Sequence, residues 1–145
     1  MKLLQLFYFL FISVNSFSQG LNDSTAIIQL LKNDYRTLET FDIQKHVDNC
    51  TTDYTLIENG EVWSLGKEIA YFKSNSHRVL TRKDFFTIHK LKIVDRFAYL
   101  IYELKSEINE KGKITTKFWS ESAVFRKVDG RWKIALIHSS PITKN

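Results

Sequence analysis

Residues 118–141 read FWSESAVFRKVDGRWKIALIHSSP, and this stretch decides the fold. Two alternating runs meet at Asp129-Gly130. An Asp-Gly between alternating runs is a strong short-range hairpin signal. The second run carries Trp132, Ile134, His138 and Ser139.

Working back from this hairpin, whose first run spans Ile114–Lys127, two more runs are rich in aromatic and β-branched residues: Phe85–Val94 and Ala98–Ile108. Trp132–Ser139 completes the set. Their breaks, Asp95-Arg96, Lys111-Gly112 and Asp129-Gly130, are short, and short breaks force antiparallel neighbours. Strands this long must curl.

The first half has a different period. Ile27, Ile28, Leu31, Tyr35 and Leu38 recur at helical spacing, predicting a helix capped by Asp23 or Ser24 and ending near Thr40. Asp42 is expected to cap a second helix, Ile43–Asn49. Asn59-Gly60 joins Tyr54–Glu58 to Glu61–Ser64 as another hairpin. Lys67–Lys73 reads as a third helix. A sheet with one apolar face needs a cover, and these helices supply it.

The N-terminus reads as a removable address. Lys2 precedes the apolar stretch Leu3–Val14, and Ser16-Phe17-Ser18 supplies small residues for cleavage after Ser18. The apolar run is about 12 residues, short of the ~20 a spanning helix needs. Residues 1–18 are therefore expected to be a signal peptide and 19–145 a single domain, periplasmic or secreted in a bacterium, with no membrane attachment after cleavage. No Cys follows the run, which argues against a lipid anchor.

The remaining 127 residues (145 less 18) suffice for one core. Hydrophobic residues make up 43% and aromatics 14%, which excludes a disordered chain. Without Lys2, 20 basic residues face 16 acidic ones, a mild +4. The basic residues are scattered, so the concentrated footprint of a nucleic-acid binder is missing. Cys50 is the single cysteine, so no internal disulfide is expected. His46, His77, His89 and His138 show no metal-site spacing, and neither metal nor cofactor is expected.

The order helix, helix, hairpin, helix, meander carries specific pieces: Asp42, Asp53-Tyr54, Glu58-Asn59-Gly60-Glu61, Lys67-Glu68, Ala98-Tyr99, Val124–Lys127, Asp129–Ile134 and His138-Ser139-Ser140. In this it resembles the nuclear transport factor 2-like superfamily, and within it the SnoaL-like group and its branch of unknown function, over Ala26–Ser140. The resemblance implies an α+β cone: a curved antiparallel sheet packed on three N-terminal helices, enclosing a pocket. The superfamily holds isomerases, cyclases, dehydratases, transport factors and oligomerisation hubs, so fold does not fix function. Ketosteroid isomerase-like members use a pocket Asp, and no matching Asp lies inside a strand here. Hub domains of calcium/calmodulin-dependent kinase II use pocket arginines; Ile101, Ala123 and Ser139 stand at those places.

The catalytic candidates are Glu121, His138 and Glu103. If Asp129-Gly130 is a two-residue loop, Glu121 lies opposite His138, and a carboxylate facing an imidazole can act as a general base. If the loop holds three residues, Glu121 faces Ile137 and His138 faces Ser120, because a one-residue slip exchanges faces. Both registers are open at this level. Glu103 leans toward solvent or a salt bridge. The ligand-binding candidates are Tyr35, Trp63, Tyr71, Trp119, Glu121 and His138. Flat aromatics suit a small organic ligand. The expected protein is an exported small-molecule-binding homodimer with no evident catalytic motif. The alternatives are an isomerase- or cyclase-like enzyme and a homo-oligomeric assembly module.

Overall fold

The computed structural model describes residues 22–143. The expected signal peptide lies outside the described residues. A long helix, α1 (22–40), is followed by α2 (Ile43–Asn49), the hairpin β1 (Cys50–Glu58) and β2 (Glu61–Ser64), and α3 (Leu65–Asn75). Four long strands complete the chain: β3 (Leu80–Val94), β4 (Phe97–Glu110), β5 (Lys113–Val128) and β6 (Arg131–Pro141).

Local chemistry sets these boundaries. Asp42 caps α2 by accepting from the Lys45 amide, and Ser64 caps α3 by accepting from the Lys67 amide. Asp23 and Ser24 were expected to cap α1, but the helix already includes residue 22, so both lie inside it. Asp23 instead accepts from Lys127 Nζ at 2.9 Å and from Trp132 Nε1 at 2.9 Å, tying α1 to β5 and β6. Asp129 (φ 49°) and Gly130 (φ 76°) both take left-handed backbone, as the hairpin turn that matches strand twist requires.

The six strands form one sheet in the order β2-β1-β6-β5-β4-β3. The curved antiparallel sheet expected from the sequence holds for every neighbouring pair but one: β1 runs parallel to β6. The long connection from β1 to β6, through β2, α3 and β3–β5, allows that parallel return.

Two bulges shape the sheet. In β3 the pairing shifts between Ile88 and Lys90, leaving His89 as the extra residue. In β6 it shifts between Ile134 and Leu136 opposite the consecutive Phe125 and Val124, leaving Ala135 extra. Each bulge bends its strand and raises the local twist.

One face of the sheet packs on the helices. Leu100, Tyr102, Leu104, Phe125 and Ile134 meet Ile27, Leu31 and Tyr35 of α1 there, all of them buried. Along β4 the burial alternates from Ala98 to Ser106, as a sheet with one covered face requires.

Candidate binding cavity

Between the helices and the inner face of the sheet lies a cavity of about 390 Å³. It is lined by aromatic and aliphatic side chains together with a few buried ionisable groups.

The Ala135 bulge decides the chemistry of its floor. The two-residue turn first pairs Val128 with Arg131, as one expected register requires. Beyond the bulge, however, Glu121 stands opposite Ser139, and Ser122 opposite His138. Neither register read from the sequence survives, because both assumed unbroken pairing. Glu121 and Ser139 point inward and are buried; His138 points to the outer face and is exposed. The proposed Glu121–His138 pair therefore does not form. Glu103 also lies on the outer face, 3.5 Å from His89 Nε2. Of the three catalytic candidates, only Glu121 reaches the cavity.

Glu121 sits at the centre of a hydroxyl cluster. Tyr35 OH donates to its Oε2 at 2.5 Å and Ser139 Oγ donates to its Oε1 at 2.7 Å. Tyr102 OH lies 3.1 Å from Tyr35 OH. Burial raises the Glu121 pKa, against the lowering pull of the hydrogen bonds from Tyr35, Ser139 and Tyr102. Burial, with Glu121 nearby, likewise lifts both tyrosines well above their ordinary range.

A second polar cluster joins the three helices. His46 of α2 lies between Asp34 of α1 and Glu68 of α3: Nδ1 is 3.0 Å from Asp34 Oδ1, and Nε2 is 3.4 Å from Glu68 Oε2. Asn49 Nδ2 also donates to Asp34 Oδ1, at 3.0 Å. Burial pushes the His46 pKa down, but its contacts with Asp34, Cys50 and Glu68 outweigh it and carry it up to about 12. The ring is therefore an imidazolium held between two carboxylates.

Asp34, His46 and Cys50 place ligand-type atoms within 4.8 Å of one another, the spacing a metal ion needs. The arrangement does not suit one. Both ring nitrogens face carboxylates, and Cys50 Sγ sits 3.9 Å from each nitrogen, so it lies along neither lone pair. Burial also pushes the Cys50 thiol up to about 11.

Aromatics form the rest of the lining. Trp63 and Tyr71 meet edge to face with centroids 5.9 Å apart. Trp63 is held at the rim by Glu61, which accepts from its Nε1 at 3.1 Å, and by Lys67 above its ring. Trp119 and Tyr35 line the same space. All the ligand-binding candidates except His138 thus border one cavity. Sequence reading had no part for Asp34, His46 and Glu68 in the site. They lie 12 and 22 residues apart, on three helices whose packing no local pattern announces.

The His46 shift sets a pH dependence. Below pH 6.5 the folded and unfolded chains both hold the proton; from there to about 12 only the folded chain does, so stability falls as pH rises. The slope is at most about 1.4 kcal/mol per pH unit. Glu121 acts in the same sense, because its raised pKa gives a contribution that is present in acid and lost as pH climbs. Thermal melts followed by circular dichroism should show the midpoint dropping between pH 6 and 9, and His46→Gln should flatten the profile. A wild-type midpoint that rises over that range contradicts the charged assignment.

The fold is nuclear transport factor 2-like. An NTF2-like protein from Cytophaga hutchinsonii superposes with a TM-score of 0.70 at 15% identity, covering 82% of this chain and 98% of that one. A ketosteroid isomerase-like protein from Erwinia carotovora atroseptica gives 0.65 at 16% identity, with 83% and 96% covered. The association domain of C. elegans CaMKII gives 0.69 at 20% identity, with 82% and 95% covered. Residues 19–144 match a family described as "Protein of unknown function (DUF3804)", and the chain belongs to that family. A search of curated proteins finds no match. Among the described residues, no helix is long and apolar enough to cross a membrane.

Proposed function

We propose that the chain is an exported small-molecule-binding domain of the SnoaL-like type, which takes its ligand into the cavity between helices and sheet. The observation that carries this reading is the cavity itself. Its volume of about 390 Å³ lies within the range of small-molecule sites, and polar and charged groups share its lining with aromatic and aliphatic ones. Glu121, buried and already accepting from two hydroxyls, fixes the orientation of whatever binds beside it.

Native mass spectrometry of the purified protein tests this. The wild type should retain a small organic molecule. Leu56→Trp, which places a larger ring among the cavity-lining residues, should lose it. A wild type that carries no adduct and gains no thermal stability from any member of a metabolite library contradicts the reading.

A second reading, homo-oligomeric assembly, is favoured by a separate observation. Phe85, Val94, Phe97 and Ile101 on the outer face of β3 and β4 are 40%, 58%, 54% and 40% exposed. The likeness to the CaMKII association domain points the same way. Light scattering should give a multiple of the chain mass, reduced to one chain by Ile101→Lys. A wild type of one chain mass removes this reading.

A further inference from the structure

Four acidic and four basic side chains line the cavity. Asp34, Glu58, Glu68 and Glu121 line it, facing His46, Arg78, Arg82 and Lys117. Two of the cations already have partners beyond that set. Arg78 is held in a two-pronged pair by Glu110, at 2.9 and 2.7 Å, and Arg82 by Asp84, at 2.8 and 2.9 Å, with Ser106 as a further acceptor. In the inner cluster one imidazolium serves two carboxylates, Asp34 and Glu68.

Glu68 is the incompletely matched member. It is 7% exposed, and its Oε2 has no hydrogen-bond partner. The 3.4 Å approach of His46 Nε2 is a charge contact, too long and poorly aligned for a good hydrogen bond. Buried carboxylate oxygens are normally hydrogen-bonded, so an orphan in a cavity wall marks a place for a donor. Glu68 lines the cavity, and its terminal torsion is soft. Tyr54, Trp63 and Tyr71 line the same cavity, and the faces of such rings attract cations.

We propose that the inner end of the cavity binds the ammonium head of a small amphipathic amine, with Glu68 as its anchor and Trp63, Tyr71 and Trp119 around its apolar body. This deepens the binding reading above and rests on it. A metal ion is a poorer occupant, because both His46 nitrogens already face carboxylates. An anion finds fewer free donors, because the guanidinium groups of Arg78 and Arg82 already bond Glu110 and Asp84.

The test uses three probes of one shape on the purified protein: benzylammonium, benzyl alcohol and benzoate. Binding is followed by tryptophan fluorescence and by amide NMR shifts around the cavity. Benzylammonium should bind at least about tenfold more tightly than the other two, the ratio a hydrogen bond to a charged group sustains. Glu68→Gln should erase that ratio. Equal affinity for the three probes on the unaltered protein overturns the amine inference, whatever the variant does, while the cavity reading stands. Tighter binding of benzoate overturns it as well. If none of the three shifts a cavity amide at millimolar concentration, the inference and the binding reading fail together.

Discussion

Replacing His46 by Ala is expected to lower the unfolding free energy by about 3–5 kcal/mol, the usual result of removing one partner from a buried ion pair. His46 is 1% exposed and lies between Asp34 and Glu68, which are 5% and 7% exposed. Without the imidazolium, two carboxylates remain in a low-dielectric space with no positive charge between them. The midpoint of thermal unfolding should drop by roughly 10–20 °C in a domain of this size. Denaturant titration and a thermal melt at pH 7 measure the two effects. A loss below about 1 kcal/mol at pH 7 would mean that the cluster is solvated and that the helices do not depend on it.

Phe72→Ala should have an effect of similar size through apolar packing. Phe72 is fully buried and anchors α3. Its ring lies 5.9 Å from Phe41, edge to face, and 5.0 Å from His46. Truncating a buried Phe costs about 3–5 kcal/mol, from lost transfer energy and the hole left behind. The damage should be local as well as global, because α3 carries Glu68 and Tyr71 into the cavity wall. Hydrogen exchange should speed up first in α3 and in the β1–β2 hairpin, while β4 and β5 stay protected. Uniform acceleration across the sheet would show that α3 is not a separately yielding lid.

These two residues also mark where sequence reading stops. Elements defined by local chemistry were legible. Asp42 before Ile43 announced α2, and the turn dipeptides Asn59-Gly60, Lys111-Gly112 and Asp129-Gly130 fell where their left-handed backbone is observed. The long strands followed from their β-branched and aromatic runs. The face of His138 was not legible. A single extra residue, Ala135, moves Glu121 from His138 to Ser139, and Ala at a bulge looks like any other strand residue. The parallel β1–β6 pair escaped for a related reason: nothing in either strand says which distant partner it takes. The Asp34–His46–Glu68 cluster is assembled only by packing of the three helices.

The central physical claim is that the three helices hold a hollow open above the inner face of the sheet, with Glu68 and Glu121 in its wall. A high-resolution crystal structure of the purified protein tests it most directly. It should show a cavity of about 390 Å³ containing ordered density, with Glu121 bonded to Tyr35 and Ser139 and with His138 on the opposite face of the sheet. Helix α3 collapsed onto β4 and β5, with side chains filling the space between Glu68 and Glu121, would contradict it.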